Sequence, residues 1–246
     1  MSRQAFLITS ALYTNYGIYN PQQRIEQTLE TARSARKYHP DSLLILIDNS
    51  KVDVQQDDSP AFNELLDTVD YYIDNSDDPD IQHFHANVSN YDIGKNSMEV
   101  LGFIKALRTI KGDEELRTAV EATSRVFKLS GRYELTDKFD ITQHDNPSTQ
   151  GKYVFKTAQP AWCDRNVTGV DHLLQTRLWS FNSNMLDDTI DLFDRIIKNM
   201  FQTFNQQQYI DVEHSMWKFI DHNRLHQLPT VGLKGNIAPN GMIVID

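Results

Sequence analysis

The first half of the chain alternates short apolar runs with segments whose apolar residues recur at helical spacing. The runs at residues 5–9 and 43–47 predict strands that are buried on both faces. Between them, Asn20 and Pro21 are residue types favoured at a helix N-cap and at the first helical position, so we predict a helix from there to about His39. This order predicts a parallel strand–helix–strand unit with a right-handed crossover.

The same periodicities continue along the chain, with less regular segments between them. They predict helices over residues 61–66, 96–110, 114–123, 186–204 and 209–220, and strands over residues 69–73, 126–130, 153–155, 177–181 and 242–245. Residues 53–80 are acidic and poorly periodic, and their last aspartates predict a mobile surface loop. His83 and His85 are expected on one face of a strand, a spacing that zinc can use, although no third ligand is evident nearby.

These elements predict an α/β fold with a Rossmann-like mixed, mostly parallel sheet and helices on both faces. Residues 1–135 alternate strand and helix, which is typical of a nucleotide-binding half, and residues 136–246 form a second, acceptor-side half. No linker separates the halves, so we predict one domain over residues 1–246.

Composition and charge narrow the class of protein. The formal net charge of −10 disfavours non-specific nucleic-acid binding, which needs a basic field. A single cysteine, Cys163, rules out an internal disulfide framework and favours a reducing compartment. No apolar run reaches the ~18 residues that a membrane span requires, and the N-terminus lacks the apolar core of a signal peptide. A soluble, cytoplasmic protein with no membrane span is therefore expected.

Polar residues follow the predicted strands at the edge where α/β sheets bind ligands. A second group is expected at the start of the helix over residues 96–110, where free amides and the helix dipole favour an anion. The candidate donor-binding residues are Thr9, Ser10, Asp48, Asn49, Lys95, Ser130, Gly131, Arg132 and Tyr133. Each of these residues also has an ordinary structural explanation, as a strand-end hydroxyl, an acidic turn, a helix cap or a glycine turn. Their common placement at one edge of the sheet nevertheless predicts a binding site. Arg132 is the first choice as counter-charge for a diphosphate, because its guanidinium offers a rigid fork of donors.

Three segments resemble motifs of GT-A-type, glycosyltransferase-like proteins of bacteria and viruses. They are residues 128–133 (KLSGRY), 176–181 (TRLWSF) and 212–217 (VEHSMW). The pattern and order of segments resemble those of this family from the first strand to Ile243. It implies a GT-A-like fold, a nucleotide-sugar donor, a glycan or other hydroxyl acceptor, and hexosyl transfer.

One departure from the GT-A pattern concerns the metal. Related enzymes commonly carry an Asp-x-Asp motif at the end of the strand that follows the nucleotide half, and it holds a divalent manganese or magnesium ion. This chain has Ser130, Gly131 and Arg132 there, so a metal cofactor is in doubt and a metal-independent transfer is the expectation. The same departure keeps a second interpretation open, a non-catalytic glycan- or protein-binding module on the same fold.

The resemblance also implies a catalytic base, because inverting GT-A enzymes are similar in placing a carboxylate near the start of a late helix. Glu213 lies at that place, with Asp211 and His214 as alternatives. A base there would take the proton of the attacking acceptor hydroxyl. Arg177, Trp179 and Trp217 are the candidates for contact with the acceptor or the donor sugar.

Overall fold

The computed structural model describes residues 3–51, 59–236 and 241–246. Within these ranges, α-helices alternate with strands through the first half, and the second half also contains both. The helices are α1 (Pro21–Tyr38), α2 (Pro60–Thr68), α3 (Pro79–Asn87), α4 (Tyr91–Gly112), α5 (Glu114–Glu121), α6 (Ile141–His144), α7 (Arg165–Thr168), α8 (Leu186–Asn205) and α9 (Val212–Phe219), with single 3-10 turns at Pro147–Thr149, Ser183–Met185 and His222–Arg224. None of the described helices has the length and apolarity needed to cross a membrane.

The described strands form one large sheet and two small ones. They are β1 (Gln4–Ser10), β2 (Leu43–Asp48), β3 (Tyr71–Asp74), β4 (Arg125–Ser130), β5 (Tyr133–Leu135), β6 (Tyr153–Lys156), β7 (Gln159–Pro160), β8 (His172–Leu173), β9 (Leu178–Asn182), β10 (Leu225–Leu228), β11 (Leu233–Asn236) and β12 (Ile243–Ile245). The seven-stranded sheet has the order β10-β6-β9-β4-β1-β2-β3, and only β9 runs antiparallel to its neighbours. This mixed, mostly parallel sheet confirms the predicted fold class.

Helices cover both faces of the large sheet, because successive residues of a strand point to opposite faces. In β1, Ala5 and Leu7 pack into a core with α4, α5 and α8, whereas Phe6 and Ile8 pack into a second core with α1 and α2. Both sets are fully buried. The continuous apolar runs of β1 and β2 are therefore a consequence of burial on two sides.

Strand register brings the chemistry-bearing strand ends to one edge of the sheet. Ser10 at the end of β1 pairs with Asp48 of β2, and Thr9 pairs with Ser130 of β4. The helix between β1 and β2 begins as predicted, because the Asn20 side chain accepts a hydrogen bond from the Gln23 amide in a capping box. The edge formed by these strand ends carries the candidate site.

Two predicted elements were wrong. Helix α4 begins at Tyr91 with Asn90 as its N-cap, so Lys95 lies one turn inside the helix and residues 94–96 do not form its free N-terminus. His83 and His85 belong to helix α3, where a spacing of two residues puts them on different faces, so they do not form the predicted strand pair. The predicted acidic loop is also shorter, because Asp78 caps α3; residues 52–58 of that acidic segment lie outside the described residues.

The second half adds two smaller units beside the edge. Strands β5, β11 and β12 form an antiparallel sheet, and β7 pairs with β8 in a short ribbon that packs on α9. We call residues 157–176, which include this ribbon and α7, the ribbon lobe. The lobe joins α9 through the hydrogen bond from the Leu174 amide to the Glu213 carbonyl, 3.1 Å.

Candidate active site

A cleft lies at the edge where β1, β2 and β4 end. It encloses about 680 Å3 of empty space, part of it open solvent. Seven of the candidate donor-binding residues line it, namely Thr9, Ser10, Asn49, Lys95, Ser130, Gly131 and Arg132. It is also lined by Arg24, Thr28, Tyr91 and Glu99, which the sequence analysis did not single out.

Arg132 presents unused hydrogen-bonding capacity to this cleft. Its Nε is buried and makes no hydrogen bond within the part of the chain that the structure describes. A buried guanidinium donor without a partner is costly, so such a group marks a place where an acceptor is missing. Lys95 lines the same cleft, and the described residues provide no ion pair for its ammonium. The two side chains are thus available for an anion.

Arg24 adds a second guanidinium to the lining of the cleft and orders the loop after β1. Its three nitrogens donate to the carbonyls of Ala11 (3.1 Å), Tyr19 (3.3 Å) and Tyr16. Burial, and then the charge of Arg132, lowers the pKa of Arg24 to about 10. Two guanidinium groups that repel each other across a cleft favour a ligand with negative charge.

Asp48 shapes the cleft without lining it. Its carboxylate is fully buried and accepts a hydrogen bond from the Leu12 amide, 2.9 Å, so it fixes the loop that Arg24 also holds. Burial raises the pKa of Asp48 to about 6. The neighbouring Ser50 hydroxyl accepts from the Tyr13 amide, 2.8 Å, which holds the same loop from a second point. Asp48 therefore positions the loop that follows β1.

Gly131 is required here by close approach of the backbone. Its amide donates to the Thr9 carbonyl, 2.8 Å, and its carbonyl accepts from the Thr28 hydroxyl, 3.0 Å. A Cβ at Gly131 would lie only 3.0 Å from Thr28 Oγ1 and 3.1 Å from the Thr9 oxygen. Gly131 is not one of the described glycines with positive φ. Glycine is favoured here because space is limited and not because the backbone makes a left-handed turn.

A buried ion pair forms the wall between the cleft and the core. Lys128 Nζ lies 2.8 Å from Glu99 Oε1 and also donates to Ser130 Oγ and to the Thr176 carbonyl. The Lys128 side chain is only 3% exposed, so it points into the protein and not to solvent. Burial would raise the pKa of Glu99, but Lys128 and Lys95 outweigh it and hold the value at about 2.

Thr176 connects this pair to Glu213. Its carbonyl accepts from Lys128 Nζ at 2.9 Å, and its amide approaches Glu213 Oε1 at 3.4 Å. Glu213 is half-buried in the first turn of α9. Burial and the nearby charge of Asp211 raise its pKa, while Arg177 and Lys95 act in the opposite direction. The carboxyl thus lies within electrostatic reach of the lysine that lines the cleft.

Asp211 and His214, the alternative bases, are more deeply buried and bind each other. Asp211 Oδ1 accepts from the His214 amide, 2.8 Å, and lies 2.7 Å from His214 Nδ1. His214 Nε2 accepts from the Cys163 amide, 3.4 Å. With both imidazole nitrogens and the carboxylate already engaged, this pair fixes the start of α9.

The fold family implies a divalent metal, and two places in the described ranges can be compared with that requirement. The end of β4 carries Arg132, a cation, which does not suit a metal ion. Cys163, Asp211 and His214 bring one ligand atom each within 4.8 Å of one another. However, Asp211 Oδ1 and His214 Nδ1 already bind each other at 2.7 Å and His214 Nε2 accepts from the Cys163 amide, so the carboxylate oxygen and both imidazole nitrogens are engaged. Neither donor set fits a catalytic metal well.

Not every candidate residue reaches the cleft. Tyr133 is buried beneath Arg177, whose guanidinium lies 5.5 Å from the centre of its ring. Trp179 is fully buried and stacks on Phe155 in the core. Trp217 packs edge-on against His222, 4.4 Å between ring centres. Arg177 is half-buried at the side of Glu213, which its charge influences.

The fold can now be compared with solved structures. A structure of the galactosyltransferase LgtC in complex with donor and acceptor sugar analogs aligns with 92% of this chain and 72% of its own, at 10% identity and a TM-score of 0.51. An active-site mutant of LgtC gives 9% identity and a TM-score of 0.52 over the same shares. The chain has a GT-A-type fold.

The solved structure of a larger protein shows the same likeness of fold. The bifunctional glycosyltransferase WbbM aligns with 93% of this chain at 9% identity and a TM-score of 0.51, and the chain spans 39% of its length. No family model matches the sequence, and no curated protein matches it. At such low identities the GT-A-type likeness establishes the fold, and the chemistry has to be argued from the residues of the cleft.

Proposed function

We propose that this protein is a glycosyltransferase that moves a sugar, of the hexosyl type, from a nucleotide-activated donor to an acceptor hydroxyl. The observation that carries the proposal is the pair of cleft cations, Arg132 and Lys95, on a GT-A-type sheet, with Lys95 within electrostatic reach of Glu213. LgtC, which binds donor and acceptor sugar analogs, has the same fold and supports this assignment.

The donor would lie with its diphosphate against Arg132 and Lys95. Charge-assisted hydrogen bonds to phosphate are the strongest that these side chains make, and Arg132 Nε has no other partner among the described residues. Thr9, Ser10 and Asn49 line the inner part of the cleft and offer hydroxyl and amide groups to the nucleoside. The anion site thus lies between the strand ends and α4.

The reaction would be a direct displacement at the anomeric carbon. The acceptor oxygen forms a bond to C1, the bond from C1 to the diphosphate oxygen breaks, and the nucleoside diphosphate leaves with the electron pair. Glu213 takes the proton of the acceptor hydroxyl. Arg132 and Lys95 stabilise the negative charge that develops on the leaving group, a task that fixed charges perform well in a cleft with little water.

Arg132 stands at the strand end where related folds hold metal-binding carboxylates, so we propose that its charge replaces that of a metal. A transfer that depends on Arg132 should be insensitive to chelation. Manganese added after chelator treatment should leave the rate unchanged. A rate restored only by manganese would contradict this part of the proposal.

Calorimetry against UDP-, GDP- and dTDP-sugars tests the donor site directly. We expect at least one to bind, and binding by none at millimolar concentration, with or without manganese, would overturn the proposal. The bound donor should also be hydrolysed slowly, and Glu213→Gln should abolish hydrolysis while leaving donor affinity within about threefold, because the change keeps the shape of the side chain.

The alternative of a non-catalytic module gives a different result in the same assay. Such a protein would bind a glycan or a protein, and a bound nucleotide sugar would remain intact in both the wild-type protein and Glu213→Gln. The observation that keeps this alternative in view is Arg132, just after the end of β4. Related folds would have metal-binding carboxylates at that place.

A further inference from the structure

Trp162 is an exposed aromatic ring beside the proposed base. Its side chain is 64% exposed, whereas Trp179 is fully buried in the core. A tryptophan that solvent reaches this freely loses most of the stabilisation that burial of its large ring would provide. Its position in the ribbon lobe, next to His214, calls for a functional explanation.

The ring is held in place although it is exposed. On one side of it in sequence, the Ala161 amide donates to the Asp171 carbonyl, 2.9 Å. On the other side, the Cys163 amide donates to His214 Nε2. The indole itself contacts the His214 ring edge-on, with 5.1 Å between ring centres. A ring fixed before its ligand arrives loses little conformational entropy on binding.

Two connections place Trp162 close to Glu213 and to the part of α4 that carries Lys95. His214, which it contacts, directly follows Glu213 in α9. Tyr209, whose ring lies 6.2 Å from that of Trp162, accepts a hydrogen bond from Asn96, the neighbour of Lys95 in α4. The exposed indole is therefore on the side of the cleft where the acceptor must approach Glu213.

We propose that Trp162 is the stacking platform of an acceptor subsite for a pyranose sugar. A pyranose has a C–H face that packs on an aromatic ring and hydroxyl groups around its rim. The surroundings match this division, because the two rings next to the indole, those of His214 and Tyr209, carry polar atoms. The step from bound sugar to transferred product rests on the proposed function, but sugar binding at Trp162 does not.

Free sugar binding tests the subsite without a donor. Calorimetry and tryptophan emission would be measured on the full chain with the methyl glycosides of glucose, galactose, mannose and N-acetylglucosamine, with lactose, and with glycerol as a polyol that has no ring. We expect at least one pyranoside to bind and to change the emission, and glycerol to do neither.

Three variants assign the signal to Trp162. Trp162→Ala should weaken binding of that sugar by about tenfold or more, in the range typical of a central aromatic anchor. Trp162→Phe, which keeps a ring, should stay within about threefold of the wild-type affinity. Ile245→Ala removes an equally exposed apolar side chain, 71% exposed on β12, and should change nothing.

The outcomes separate this inference from the proposed function. Sugar binding that depends on Trp162 supports the subsite even in a protein that fails to bind any nucleotide sugar. No binding of any pyranoside, or an affinity that Trp162→Ala leaves unchanged, overturns it. If transfer activity is found, Trp162→Ala should raise the KM for the acceptor and leave the KM for the donor unchanged.

Discussion

Lys128 of β4 and Glu99 of α4 form an ion pair of 2.8 Å at the boundary between the apolar core and the cleft. Lys128 lies two residues after Val126 and therefore on the same face of the sheet, the face that α4 covers. Its long side chain thus reaches the helix from within the core. The pair keeps a charged lysine buried and holds Glu99 ionised at the cleft wall. It couples the stability of the sheet to the electrostatics of the site.

Removal of Lys128 should be strongly destabilising. Lys128→Met leaves the Glu99 carboxylate without its main partner, and we expect a loss of about 3 kcal/mol in the free energy of unfolding. The double variant Lys128→Met/Glu99→Gln should recover part of that loss, because no unpaired charge remains. Urea denaturation of the four members of the cycle measures the coupling, and additive effects would contradict the pair.

The same pair predicts a dependence of stability on pH. The pKa of Glu99 lies at about 2, below the value of about 4.5 for an unperturbed glutamate, so its contribution is complete above pH ~4.5 and is lost as the pH falls towards 2. The stability advantage of the wild-type protein over the double variant should therefore shrink in that window. An exposed pair, Arg108 with Asp194, provides the control, and its removal should show no such trend.

Arg132→Gln should weaken donor binding without cost in stability. The variant loses a charged donor aimed into the cleft, so affinity for a nucleoside diphosphate should fall by about tenfold to a hundredfold. It also removes the repulsion with Arg24, so the melting temperature should be equal or higher. Arg108→Gln, a change of the same type on the exposed side of α4, should leave affinity unchanged. Equal losses in both variants would assign the effect to net charge alone.

The sequence predicted most of the sheet because its strands are long apolar runs with polar ends. Strands β1, β2 and β4 carry their polar residues directly after the last apolar position, and parallel register then aligns those ends. The antiparallel pairing of β9 with β4 depends on the second half of the chain as a whole, and the two-residue strands β7 and β8 carry no periodic signal.

The site was less predictable because burial and long-range partners decide it. Arg24 looks like a helix-surface cation in the sequence, yet it turns inward to three carbonyls of the preceding loop. Trp179 and Trp162 are alike as residue types, but one is enclosed in the core and the other is exposed. The start of α4 was predicted at Asn96, whereas Asn90 provides the actual N-cap and the helix begins at Tyr91.

Glu213→Gln should raise stability at neutral pH while it removes activity. Burial raises the pKa of Glu213, so the folded state holds the carboxylate at a cost that is absent below the ordinary pKa of glutamate, grows as the pH rises above it and is complete above the raised value. The amide avoids that cost, and the melting temperature of the variant should exceed that of the wild-type protein above pH 7 but not near pH 4. A pH–rate profile of the wild-type protein should fall on the acid side with an apparent pKa above that of an ordinary glutamate. A variant that is less stable at every pH would contradict this description.

Gly102 in α4 should be essential for the position of Asn49 in the cleft. A Cβ at Gly102 would lie 2.0 Å from Asn49 Oδ1, and Asn49 is buried and hydrogen-bonded to Asn75 at 2.9 Å. Gly102→Ala therefore forces the Asn49 side chain to move, which should lower stability by about 1–3 kcal/mol and weaken nucleotide binding.

Gly112, at the end of the same helix, provides the matched control. A Cβ at this position meets no atom within 4 Å, so Gly112→Ala should leave nucleotide affinity unchanged and gain up to about 1 kcal/mol from helix propensity. Thermal melting and calorimetry on both variants test the comparison. If Gly102→Ala behaves like Gly112→Ala in both measurements, Asn49 is not held against α4 and does not form the inner wall of the donor site.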